Sequence, residues 1–456
     1  MARFLEERSA SRSVAAIAAA WSQGIGLLVL AVAIVASTPH SALAQTAPVI
    51  IRWWQHPADS EGVRAVWTEV ARRFEKTNPG VKVEFTWYHK KDMWPAIRSA
   101  FQAGEGPDLF YYDDDVPEFI TGGLLADLSD GVNWTNVEPW AKQHWTRSGP
   151  RGKVGVWALP VDASTDELYY NKKLLRELGL SVPSNLQFDD NTFAEVVKKC
   201  VAAGKSGFAV GVGDRPYPGT YITNYLLLHK LGEQDLRDLW AGGGRVTWND
   251  PRVQEMLAYH KSLIDMKAYP ASISSLRLGE AHRYFHTEQR ACFMPVGSWY
   301  TFRAFQPVEA GGQPKDFELG MLNYPAVRDG KGNDLKFLTI AHSLAVNARS
   351  KHINVVKAIL NSAADPDVGA LWTSKMVSRS TIKTDTAKIQ SEYGWYFKMY
   401  EEANRLAKPV VLPWQPVMKA GMSDAYTQVM NSAFPAGLIS VAEATKKLEE
   451  ARSRGR

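Results

Sequence analysis

Between Val49 and Tyr112 the chain alternates between two hydrophobic periods, and that alternation narrows its folds more than any other feature. Val49-Ile50-Ile51-Arg52-Trp53-Trp54 is a short bounded apolar run of the kind that forms a buried strand. From Glu61 to Thr77 the spacing changes to that of a helix, with Val63, Val66, Trp67, Val70, Ala71 and Phe74 on one side. Asn78-Pro79-Gly80 stops it. Val81-Lys82-Val83-Glu84-Phe85 alternates as a second strand, Asp92 to Ala103 returns to helix, and Pro107 to Tyr112 is a third strand. Strand–helix–strand–helix–strand at this pace predicts a doubly wound α/β lobe.

The rest of the chain continues in the same mixed style. Gly155 to Pro160 and Leu168 to Tyr170 read as extended, Asn171 to Leu178 and Thr192 to Ala203 as helices, and Phe208 to Gly211 as a short strand. Residues 220–290 are mostly helical, Phe337 to Val346 returns as strand, and helices follow over Asn354 to Ala363 and Ser440 to Arg452. No repeat, heptad array or low-complexity linker divides the 456 residues, so two lobes joined by several chain crossings fit better than two separate beads. A chain that is 45% hydrophobic and 22% charged is neither disordered nor polytopic. The 53 basic and 48 acidic residues form no basic block, so nucleic acid is not an expected partner.

The amino terminus reads as an export segment. Arg3, Arg8 and Arg12 precede a stretch from Ser13 to Ala44 without Asp, Glu, Lys or Arg, and Ala42-Leu43-Ala44 is an A-x-A-like cleavage site. Residues 1–44 are therefore expected to be a cleaved signal peptide, with the mature protein in the periplasm. An uncleaved anchor is the rival reading, since Ser13 to Ala36 is long enough to span a bilayer. Cys200 and Cys292 can pair in an oxidising compartment or stay as two buried thiols; spacing leaves both open.

Catalytic and metal motifs fail one by one. His282 and His286 share a helical face, but Arg283 stands where a zinc protease needs Glu. There is no P-loop, nucleophile elbow or dinucleotide fingerprint, and Asp113-Asp114-Asp115 lacks the spaced ligands and glycine of a calcium loop. Neither a metal nor a cofactor is expected. Tyr111-Tyr112 and Tyr169-Tyr170 send neighbouring rings to opposite strand faces and read as packing residues.

The order of several short motifs resembles the extracellular solute-binding proteins of ABC importers, in the sugar-binding group typified by maltose-binding protein. The stretches that carry it are Ile51-Arg52-Trp53-Trp54 with Phe74 to Val83, Ala103 to Phe110 with Gly122 to Leu128, Ala158-Leu159-Pro160 with Leu168 to Lys172, Met294 to Trp299, and Ala345 to Lys351. The resemblance implies an α/β protein of two doubly wound lobes with a ligand cleft between them. One lobe takes residues 46–161 and about 339–376, the other 162–338 and 377–456. It also implies a monomer without catalytic activity that hands a small carbohydrate to the membrane subunits of an ABC permease. The alternatives are a non-sugar solute (a glycerol phosphodiester, a polyol or a polyamine drawn to residues 113–115) or a secreted carbohydrate-active enzyme.

A sugar presents hydroxyls at its rim and C–H groups on its faces, so its site needs aromatic plates and hydrogen-bonding side chains. In open α/β sheets such groups stand just past the carboxyl ends of strands. Trp54, Gln55 and Asp59 follow the first strand, and Tyr112, Asp113 and Asp115 end the third. Asp162 and Ser164 follow the crossing, while Arg215 and Tyr217 follow the Phe208 strand. Trp299 and Tyr300 follow Met294, and Arg379 follows the last return. These thirteen residues are the expected ligand-binding set. By the family pattern Tyr112, Tyr217 and Trp299 are stacking plates and Asp115 a hydroxyl-binding acid, although Val116 stands where the family has Arg. Trp53, Trp67 and Trp157 are expected in the core; Trp54 and Trp414 suit either core or cleft rim.

Overall fold

The computed structural model describes residues 47–214 and 217–454, excluding the side chains of 217, 218, 415 and 420. The expected signal peptide lies outside the described residues. Residues 47–456 form one compact unit.

The expected opening alternation is present: strand Val49–Gln55, helix Glu61–Thr77, strand Val81–Trp87, helix Lys90–Gln102 and strand Leu109–Tyr112. Ser60 starts the first helix by accepting a hydrogen bond from the Val63 amide (3.3 Å). Its buried face is the six residues that the spacing selected. The first strand lies between the second and third, parallel to both. Tryptophans 53, 67 and 157 are all buried.

Two long strands carry the chain onward. Leu159–Asn171 takes in the end of the first expected extended stretch and all of the second, the start of the first forming a separate short strand Val154–Val156, and Leu335–Val346 runs antiparallel beside it. The sheet order is Val81–Trp87, Val49–Gln55, Leu109–Tyr112, Leu335–Val346, Leu159–Asn171, Ala291–Gly297 and Ser206–Phe208. The long pair is antiparallel to its neighbour on each side, and beyond those neighbours the pairing is parallel. Around the first end, Trp53, Val66, Trp67 and Val70 pack with Ile359, Leu360 and Trp372. Around the other, Phe193, Val197, Phe208, Leu257 and Phe293 form a separate cluster. The last short strand is Ser206–Phe208, ending sooner than its apolar run suggests, since Gly211 and Gly213 press against the backbone of Leu276 and Ser275.

Cys200 and Cys292 are joined as a disulfide. It ties helix Asp190–Ala202 to strand Ala291–Gly297, a pairing of residues 92 apart that spacing left open. Among the described residues, no helix is long and apolar enough to cross a membrane.

Candidate ligand-binding site

A cleft of about 1120 Å³, including its open mouth, lies over the middle of the sheet. Its floor is Thr339, Ile340, Ala341 and His342. Four consecutive residues of a regular strand cannot face one side, because side chains alternate. Here the pairing with the Leu159–Asn171 strand slips between Ile340 and Ser343, so regular alternation is interrupted where these four residues border the cleft. Behind the floor His342 packs 4.9 Å from Trp372 and 5.6 Å from Trp67, centroid to centroid. Burial pulls its imidazole down to about 3, so it is neutral at any physiological pH.

One wall is polar and comes from strand ends: His56, Lys90, Tyr111 and Asp113 to Asp115. Lys90 Nζ reaches both Asp113 and Asp115, the latter at 2.8 Å. Tyr111 donates its hydroxyl to Asp113 (2.5 Å), and Asp113 in turn accepts the Asp115 amide (3.0 Å). Burial and the neighbouring Asp115 carboxylate raise Asp113, against the pull of Lys90. Asp114 turns the other way. It meets Arg147 at 2.7 Å and His144 at 2.9 Å. Burial alone would raise it, but these two partners hold it well below the usual carboxylate range.

The opposite wall is aromatic and apolar: Tyr221, Trp240, Trp299, Phe302, Phe337 and Trp414, interrupted by Asp166, Asn224 and Arg303. Gly297 makes the position of Trp299 feasible. A Cβ there would lie 2.2 Å from the indole nitrogen and 3.0 Å from Ser164 Oγ, so only glycine lets the ring fold back over its own strand end. Trp299 packs against the cluster around Trp53 and Trp67 and against another around Tyr169, Met294 and Tyr300.

Of the thirteen expected residues, Asp113, Asp115 and Trp299 line this cleft. Tyr112 does not. Alternation puts Tyr111 on the cleft side and sends Tyr112 beneath, 5.0 Å from Trp145, with its hydroxyl on the Val116 carbonyl (3.0 Å). Gln55 is buried, its Oε1 accepting the His56 amide, and Trp54 is half-buried against Tyr88 (5.0 Å). Asp59 is exposed outside the cleft. Asp162 lies under the sheet, accepting from Trp372 Nε1 (2.9 Å) and Ser378 Oγ (2.6 Å). Burial pushes it up to about 7 against those two hydrogen bonds. Ser164 is buried 3.2 Å from Ser298 Oγ, and Tyr300 is buried with its hydroxyl 2.6 Å from His286 Nδ1. Arg379 is exposed, its guanidinium 6.0 Å above the Tyr400 ring. Arg215 lies outside the described residues, as does the side chain of Tyr217. Trp414 lines the cleft and also packs on the core cluster behind it, so both of its readings apply.

The residues that sequence reasoning missed fall into two kinds. Lys90 and His56 stand just past strand ends, and the rule that found Asp113 could have found them. Phe302, Tyr221, Trp240 and the 339–342 floor carry no local signal that separates them from core residues. Among the described residues, no group of His, Cys, Asp or Glu is placed to hold a metal ion.

This geometry has known counterparts. A model of the bacterial extracellular solute-binding protein family matches residues 58–370. The chain belongs to that family. Its members are non-catalytic binding proteins. The multiple sugar-binding protein of Streptococcus mutans is 22% identical over 291 residues, 62% of this chain and 64% of that protein. The chain spans between about half and two thirds of the length of the first curated relatives it matches, at 52% and 64%. Among solved structures, a chitin oligosaccharide binding protein superposes with a TM-score of 0.75 at 17% identity, covering 89% of this chain and 98% of that one. A structure from work on xylan utilisation by Caldanaerobius polysaccharolyticus gives 0.75 at 19%, covering 88% and 99%. At these identities the superpositions establish the fold: the two-lobed α/β architecture of sugar-binding proteins.

Proposed function

We propose that this protein is the substrate-binding component of an ABC importer, that it captures a sugar or small oligosaccharide in the cleft, and that it delivers it to the permease. The observation that carries this reading is the division of the cleft into two walls. An aromatic wall with Trp299 and Trp414 offers faces for sugar C–H groups, and a polar wall with Asp113, Asp115 and Lys90 offers acceptors and a donor for hydroxyls. The names of relatives at low identity point the same way. The acids of residues 113–115 are already matched by Lys90, His144 and Arg147, which favours a hydroxylated ligand over a polyamine at that wall.

The proposed lobes are residues 46–161 with about 339–376, and 162–338 with 377–456. The two separate core clusters at the sheet ends support this division. Ligand that touches both walls binds the closed arrangement better than the open one, and so stabilises the form that docks on the permease. In this reading the 1–44 segment exports the mature protein to the periplasm, where it acts as a monomer.

The test is a thermal-shift panel of mono- and oligosaccharides, polyols, glycerol phosphodiesters and polyamines. Ligand at 100 times its dissociation constant stabilises by about 2.7 kcal/mol. A shift with one saccharide series is the expected result. Shifts only with phosphate-bearing or cationic non-sugar compounds would retain the binding role and overturn the sugar assignment.

A further inference from the structure

The carboxylates of the cleft are not alike. Asp113 and Asp115 share Lys90, and Asp114 is held by Arg147 and His144. Asp166 stands on the other wall, among the aromatic rings. Among the described residues its carboxyl has no hydrogen bond or ion pair; the Tyr225 hydroxyl goes to its backbone carbonyl instead (3.1 Å). The cation that acts on it, Lys336, is bound to Glu167 at 2.5 Å, with both side chains buried.

Its position is fixed by the sheet rather than by a flexible loop. Asp166 pairs with Gly297 across the strands, two residues before Trp299. Tyr221, Trp299, Phe337 and Trp414 line the same side of the cleft. A carboxylate without a cation, set among aromatic faces, is the chemistry that recognises an ammonium group. The charge pairs with the carboxylate, and the rings attract its positive edge.

We propose that Asp166 is the charge-selecting residue of the cleft, and that the preferred ligand is an amino-bearing saccharide whose ammonium pairs with Asp166 while its ring lies on the aromatic wall. This rests on the saccharide-binding reading above and narrows it. Burial and Glu167 push the empty carboxyl up to about 8, so near neutral pH it holds a proton that leaves when the ammonium binds.

The experiment is calorimetric titration of the purified protein with matched oligosaccharides in gluco and galacto configuration. Each is supplied as free amine, N-acetylated amine, neutral hydroxyl form and uronate. The free amine should bind about tenfold or more tighter than its N-acetylated and neutral counterparts, the uronate weakest. Asp166→Asn should remove that advantage, so that the amine and neutral forms bind alike; Asp166→Glu should restore part of it. A merely structural role would weaken all forms alike. The proposal falls if amine and neutral forms bind equally, or if Asp166→Asn leaves the ranking unchanged. In either case Trp299-dependent binding of a neutral sugar would leave the function above standing. Absence of binding by every form would refute both.

Discussion

Replacing Lys336 by Met tests the junction that supports the cleft. Lys336 and Glu167 sit on the two long central strands, with side chains 3% and 0% exposed and Nζ 2.5 Å from Oε2. Glu167 also accepts from Thr165 Oγ1 (2.6 Å) and Asn404 Nδ2 (3.2 Å), both neutral. Lys336→Met keeps most of the volume but leaves a buried carboxylate with no cation, beside the uncompensated Asp166. Removing one partner of such a pair costs about 3–5 kcal/mol, whereas replacing both is often neutral or better. The double variant Glu167→Gln, Lys336→Met should therefore be more stable than Lys336→Met alone, because Gln still accepts from Thr165 and carries no charge. Urea unfolding of wild type, both single variants and the double variant closes the cycle, provided the m-values agree. A Lys336→Met cost under about 1 kcal/mol would refute the reasoning, because it would mean that water or a relaxed side chain reaches Glu167. A double variant no better than the single would refute it too.

Trp299→Ala should weaken the saccharide found in the thermal-shift panel by about 1–3 kcal/mol, the scale of losing a large buried aromatic contact; calorimetry checks it, and unchanged affinity with an intact fold counts against this wall. Asp162 is raised to about 7, so the folded state holds a proton that the unfolded chain, titrating near 3.9, has lost. Its contribution to stability is present in full below pH about 4 and is lost as pH rises toward 7; Asp162→Asn should flatten the fall in stability between pH 5 and 8 by roughly 1–4 kcal/mol, read from urea midpoints at each pH. Cys200→Ser with Cys292→Ser opens a link between residues 92 apart and should cost about 2–5 kcal/mol. A melting temperature insensitive to reductant would show that this link contributes little.

The opening alternation was legible because a helix face and a strand face are written in local spacing. Val63 to Phe74 needed no partner to identify their common side, and the core tryptophans followed from it. Cleft-lining residues were legible where they follow a strand end directly, as Asp113, Asp115 and Trp299 do. Tyr112 and Asp162 show where that stops. Period two says that neighbours face opposite ways, but not which face meets the cleft. Helices packed on each side decide that, and they placed Trp145 over Tyr112 and Trp372 over Asp162.

By itself the sequence determined the α/β class, the order of its first elements and a family resemblance, since these rest on interactions within a turn or two of chain. Tertiary structure decided which partner each carboxyl has, because these come from afar in sequence: His144 and Arg147 for Asp114, Ser378 for Asp162. It also decided the union of Cys200 with Cys292 and the slipped register where residues 339–342 border the cleft. Charge pairing and register depend on distances in space, and a one-dimensional pattern carries no record of them.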